Sequence, residues 1–220
     1  PVDEQMGRFN IKGKSVYNPL GGKERIKAKV QANLMGSQIT KQATTVITNV
    51  CYSYKTAGTI MTCIDPQPLK KETKTCTVQP ISISAGQGGP VAVVYTEPSM
   101  PPHTDPEKIQ PTYVIQIENR GTGQVIDTNL VYDACTGRNI GKDNYDLVQV
   151  RAMLSNDELN CEPQQIRLRQ KENKVICKLE QGISVNKGNY VTPLIVELEY
   201  GYMQTSSKTI TVSKTKQQYY

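Results

Sequence analysis

The sequence predicts an all-β protein built as two immunoglobulin-like β-sandwich modules stapled by disulfides. Three observations carry that expectation. Val, Ile, Thr and Tyr alternate with polar residues over short runs, the pattern of a half-buried strand. Sixteen Gly and 13 Pro punctuate those runs, and sustained helical periodicity is absent. Six cysteines occur without the close spacing that zinc ligands require. At 220 residues the chain suits two modules of roughly 100 residues each. With one Phe, no Trp and 12 Tyr, their cores have to be built from Val, Ile, Leu and Tyr.

Residues 1–24 are polar and Gly-containing, with one alternating piece at Phe9-Asn10-Ile11, and are expected to form an extended N-terminal arm. A first β module is expected over 25–85. There Ile26, Ala28, Val30, Ala32 and Leu34 alternate with Lys27, Lys29, Gln31 and Asn33 as one strand. Residues 45–50 lead into a hairpin that turns at Ala57-Gly58, and Pro66 stops its second strand. The Lys/Thr-rich stretch 70–74 and Gly86-Gln87-Gly88-Gly89-Pro90 mark the junction.

An immunoglobulin-like sandwich is expected over 86–213, with a polar tail at 214–220. Its strands are placed near 91–95, 113–117, 124–132, 147–153, 166–169 and 175–179. Asn119-Arg120-Gly121-Thr122-Gly123 is a turn rich in residues that tolerate positive φ. Leu194, Val196, Leu198, Tyr200 and Tyr202 form one face opposite Glu197 and Glu199. After a turn at 204–208, Ile210 and Val212 return.

The cysteines are Cys51, Cys63, Cys76, Cys135, Cys161 and Cys177. Cys51 and Cys63 flank the Ala57-Gly58 hairpin, which would bring them within bonding reach. Cys161 and Cys177 bracket a second hairpin turning at Glu172-Asn173, which leaves Cys76 for Cys135. Six cysteines permit many connectivities, so this pairing is an expectation from hairpin geometry. On the chain-entropy model each short loop contributes about 3 kcal/mol and the long one about 4. Several disulfides imply an oxidising, extracellular compartment. No Asn-x-Ser/Thr acceptor is present, so N-glycosylation is not expected.

The net charge is +6 with a pI near 8.9, but the lysines are dispersed among Thr, Gln and Glu. No basic run is interleaved with aromatics and no recognition helix stands out, so nucleic acid is not an expected partner. An anionic envelope or polysaccharide is the electrostatic alternative to a plain solvated surface. No apolar stretch reaches the roughly 20 residues that span a bilayer. The chain begins at Pro1, so the expectation is that a targeting or anchoring segment has been removed or that the chain is cut short of it.

No catalytic, cofactor or metal site is expected, and the protein is not read as an enzyme. The single histidine, His103, sits in a Pro-rich loop that would hold a catalytic group poorly. Asp143, Asp146, Asp157 and Glu158 could meet calcium, but Asp143-Asn144-Tyr145-Asp146 lacks the EF-hand pattern. Gly86-Gln87-Gly88-Gly89 lacks the Lys-Ser/Thr of a phosphate loop and is better read as a hinge. Tyr52, Tyr54, Tyr200 and Tyr202 alternate as strand residues do, which favours packing over a sugar-stacking platform.

Several motifs occur in order along the chain: Asn49-Val50-Cys51-Tyr52-Ser53-Tyr54, Cys63-Ile64-Asp65, Cys76-Thr77-Val78, Gly86-Gln87-Gly88-Gly89-Pro90-Val91, Ile117-Glu118-Asn119-Arg120-Gly121-Thr122-Gly123, Leu159-Asn160-Cys161-Glu162-Pro163, Tyr190-Val191-Thr192-Pro193-Leu194 and Glu197-Leu198-Glu199-Tyr200-Gly201-Tyr202. Together, over about residues 45–212, they resemble uncharacterised cell-surface β-sandwich proteins of DPANN-type, small-genome archaea. The resemblance implies an archaeal envelope location, a β fold and an N-terminal membrane anchor, and no particular activity. The expectation is that this form is without that anchor.

Two functions are compatible with these features. The first is an extracellular structural protein, a subunit of a filament, sheath or surface layer that forms a homo-oligomer or polymer. In it, the arm pairs with a neighbouring subunit through Phe9 and Ile11. The second is a surface adhesin that recognises a partner cell, another envelope protein or a glycan through loops at a sandwich end.

Overall fold

Alternation sets the strands, because a side-chain period of two turns every other residue toward the core. The computed structural model describes residues 10–13, 17–25, 27, 31, 32, 35, 36, 38–70, 73–84, 86–168 and 173–214. The protein is mostly β, with a curled antiparallel sheet and three disulfides. The described strands are β1 (Lys41–Ile64), β2 (Ile81–Ser82), β3 (Val91–Ser99), β4 (Lys108–Ile109), β5 (Thr112–Asn119), β6 (Gln124–Ile126), β7 (Leu147–Leu154), β8 (Asp157–Glu162), β9 (Gln165–Arg167), β10 (Lys174–Lys178), β11 (Ile183–Ser184) and β12 (Tyr190–Ser213). One short α-helix, α1 (Val131–Cys135), lies between β6 and β7.

The chain divides into two compact units, residues 1–49 with 205–220, and residues 50–204. In the second, the sheet runs β1-β12-β7-β8-β10-β5-β3-β2. Strand β8 changes neighbours midway. Asp157, Glu158 and Leu159 pair with β7, whereas Asn160, Cys161 and Glu162 pair with β10. That exchange lets the sheet turn on itself and enclose one core. Ile115 and Ile117 of β5, Val175 of β10, Val150 of β7, and Leu194, Val196 and Leu198 of β12 are all buried in one cluster. Each such aliphatic side chain contributes about 2 kcal/mol. The face expected from Leu194 to Tyr202 is the buried face of β12, with Glu197 and Glu199 on the other.

Several local expectations fail for identifiable reasons. Strand β1 runs straight through Ala57-Gly58, where a hairpin turn was expected. Gly58 is a strand glycine with another segment close against it: a Cβ there would stand 2.9 Å from the Gln87 side chain. Strand β12 likewise continues through 204–208; Thr and Ser are ordinary residues of an exposed strand, so their polarity signals solvent and not a turn. The strand expected over 124–132 stops at Ile126, where the Asp127 carboxylate accepts from the Asn129 N–H and starts a helical turn. Ile126, Ala134 and Ile140 then form a small separate core with Val131, Tyr145 and Met203. Strands β9 and β10 do not form a hairpin: β9 pairs with β7, and β10 with β5 and β8. Of the strand expected at 26–34, Ile26, Ala28, Val30 and Leu34 lie outside the described residues, while Lys27, Gln31 and Ala32 are not in a strand.

In the first unit, residues 41–49 of β1 and 205–213 of β12 form a two-stranded ribbon. It is antiparallel, since the Lys214 N–H donates to the Thr40 carbonyl at 3.0 Å and the Thr205 hydroxyl to the Asn49 side chain at 2.8 Å.

Candidate interaction surface

The disulfides are Cys51–Cys135, Cys63–Cys76 and Cys161–Cys177. Only the last matches the expected pairing. Because β1 is one continuous strand, Cys51 and Cys63 are separated by about 40 Å of extended chain, far beyond bonding reach. Cys51 instead holds the α1 segment to β1, and Cys63 closes the loop that follows its own strand. Cys161 and Cys177 face each other on adjacent strands, with Cα atoms 4.0 Å apart. The loop closed by Cys63–Cys76 is further clamped by Asn189, whose side chain accepts from the Cys76 N–H at 2.8 Å and donates to the Cys76 carbonyl at 3.1 Å. Within it Lys74 pairs with the Asp65 carboxylate and donates to the Gln67 and Pro68 carbonyls.

The four alternating tyrosines form a packed lattice. Tyr52 and Tyr202 lie 5.7 Å apart by ring centroid, and Tyr54 and Tyr200 lie 6.0 Å apart. Their hydroxyls pin loops. Tyr54 donates to the Gly88 carbonyl at 2.9 Å, and Tyr202 accepts from the Gly123 N–H at 2.7 Å. Gly89 lies so close beneath them that a Cβ there would collide with the Thr56 hydroxyl. The Gly86–Pro90 segment, read as a junction, is thus a strap inside the second unit, and the Gln87 amide bonds both the N–H and the carbonyl of Val93. Burial raises the Tyr200 phenol to about 12 and pushes Tyr113, Tyr52 and Tyr190 up as well.

His103 is engaged on both ring nitrogens. Nε2 donates to the Glu180 carbonyl at 2.9 Å, and Nδ1 accepts from the Asp105 N–H at 3.0 Å. It staples the proline loop to the segment after β10. Among the described residues no group of three or more His, Cys, Asp or Glu is arranged to hold a metal ion. Of the carboxylates weighed and set aside as calcium ligands, Asp157 and Glu158 lie on β8 and Asp143 on a 3-10 turn. Among the described residues no helix is long and apolar enough to cross a membrane. Three disulfides point to an oxidising, extracellular environment.

Of the two expected subunit contacts, Phe9 lies outside the described residues, and Ile11 is half exposed. The Lys12 carbonyl beside it accepts from the Gly22 N–H at 2.7 Å, so this piece of the arm folds against residues 21–22.

What sequence reasoning missed is the ribbon of the first unit. Every residue from Lys41 to Asn49 is exposed, and in its partner only Ile210 and Val212 are half buried. Gln42-Ala43-Thr44-Thr45-Val46-Ile47-Thr48-Asn49 contains no charge, no Pro and no Gly. Among the described residues no strand pairs with the outer side of β1. Protein edges are normally blunted by lysines, prolines, bulges or brevity, and over Gln42 to Asn49 this one carries neither Lys nor Pro. A signal was available, since the whole run from Gln42 to Tyr54 lacks charge, Gly and Pro. It was hidden by the supposed turn at Ala57-Gly58, which made β1 look like one half of a hairpin.

Chemically, an edge that no described strand covers offers its N–H and C=O groups beside β-branched side chains, and it can accept another strand. No family model, curated protein or solved structure matches this chain.

Proposed function

We propose that the chain is an extracellular structural protein of an archaeal cell surface, a subunit that assembles into a filament, sheath or surface layer. The observation that carries this reading is the ribbon edge of residues 42–49, uncharged, free of Pro and Gly, and exposed. A secreted chain that kept such an edge free would be liable to pair indiscriminately, and a dedicated partner removes that liability. The three disulfides suit a particle exposed to an oxidising exterior, and the resemblance to envelope proteins of small-genome archaea supplies the source. The immunoglobulin-like character of its modules belongs to the same proposal, supported by the antiparallel sheet and its curl. Phe9 and Ile11 stand as contacts of an arm that reaches a neighbouring subunit.

Electron microscopy of the purified, oxidised protein tests this. Regular polymers or sheets are expected, and their loss on deletion of residues 1–20, with β circular dichroism retained, identifies the arm as a contact. A monodisperse monomer at all accessible concentrations overturns the structural reading.

A further inference from the structure

We propose that the outer edge of β1, residues 42–49, pairs antiparallel with the same edge of a second copy, giving a two-fold symmetric dimer as the building unit; this rests on the structural reading above and deepens it by naming the partner strand.

Charge argues for a second copy. The chain carries a net charge of +6, so two copies repel wherever their lysines approach. The run from Gln42 to Asn49 is free of charge, and pairing it with itself sets no like charges opposite one another. An acidic polymer or peptide, by contrast, would find no cation along it. The other edge of the ribbon, residues 205–213 of β12, carries Lys208 within it, which disfavours the same arrangement there. The N-terminal arm is a poorer occupant than β1 itself, because Asp3, Glu4, Arg8, Lys12 and Lys14 with Gly7 and Gly13 make a weak strand.

Backbone geometry argues for antiparallel pairing. A strand meeting its own copy antiparallel obeys a two-fold axis, so the residue on the axis faces its own copy and each residue before it faces the one equally far after it. A two-stranded ribbon is marginal alone, and joining two of them makes a four-stranded sheet. One such contact closes as a dimer. A polymer then needs a second contact, which is the role left to the arm.

Thr45 lies at the centre of the edge and is exposed, so replacing it leaves the fold intact. The test uses the full chain with Thr45→Lys and Thr45→Glu, each checked by circular dichroism. Sedimentation velocity is run on each variant alone and on an equimolar mixture. A lysine or glutamate side chain at 45 also reaches its neighbours, so a register one step off centre gives the same result. Each variant alone is expected to self-associate about tenfold more weakly than wild type or less, and the mixture to regain the dimer. If both variants associate as wild type does, the β1 edge is not the contact. If both are monomeric and the mixture does not recover, the partner strand is something other than β1. Polymers that survive both substitutions and vanish only on deletion of residues 1–20 also overturn β1 self-pairing while leaving the structural function standing. Wild-type protein that stays monomeric overturns both.

Discussion

The hydroxyls of Tyr200 and Thr56 lie 2.8 Å apart, both buried, and the Tyr200 oxygen also accepts from the Val91 N–H at 3.3 Å. One phenol therefore joins β12, β1 and the start of β3, which lie far apart in sequence. Tyr200→Phe leaves two buried polar groups without that partner and is expected to cost about 1–3 kcal/mol in urea unfolding. Thr56→Val should cost a similar amount, and the double variant clearly less than the two together. Strict additivity would show that the two hydroxyls do not share a bond in solution.

The same burial predicts the alkaline limit of stability. The Tyr200 phenol rises from 10.0 to about 12, because burial disfavours the phenolate more than the Thr56 bond favours it. Tyr113 shifts in the same direction for the same reason. The unfolded chain therefore releases these protons first, so the contribution is fully present below pH 10 and is lost as pH rises through about 12. Urea unfolding should show stability falling between about pH 10 and 12, alongside a late step in tyrosinate absorbance. A flat profile over that range would contradict the buried phenols.

On β12, Leu198 is fully buried and Glu197 points the other way, 2.8 Å from the Lys55 ammonium. Leu198→Asp places a charge in the core and is expected to cost about 3–5 kcal/mol. Glu197→Lys removes one partly exposed ion pair, while Glu199 still lies 3.1 Å from Lys55, and should cost less than about 1 kcal/mol. Equal losses in thermal unfolding would mean that the strand register is wrong.

Peptide mapping without reduction should recover Cys51 linked to Cys135, Cys63 to Cys76 and Cys161 to Cys177. A Cys51–Cys63 peptide would require β1 to bend back on itself and would refute the continuous strand. Replacing Cys51 and Cys135 together with Ser should cost about 4 kcal/mol, since that bridge closes the longest loop of the three.

Sequence alone determined the β class, the buried face of β12 from Leu194 to Tyr202, strands β3, β5, β7 and β10 and the Asn119–Gly123 turn. Each of the strands and the turn is written locally, as alternation or as turn residues. Sequence also paired Cys161 with Cys177, but through a hairpin that does not form, the bond arising because β8 lies beside β10. Tertiary structure decided the rest. Gly58 looks like a turn in sequence, yet β1 runs straight through it, with the Gln87 side chain packed where a Cβ would go. Residues 204–208 look like a turn and continue β12 because the neighbouring β1 supplies the hydrogen bonds that hold polar residues extended. Once β1 is continuous, Cys51 and Cys63 cannot meet, and the exposed edge from Gln42 to Asn49 comes into being. Local patterns record which way a side chain faces, but which strand lies beside it depends on contacts between residues far apart in the chain, and those fixed both the bridges and the surface.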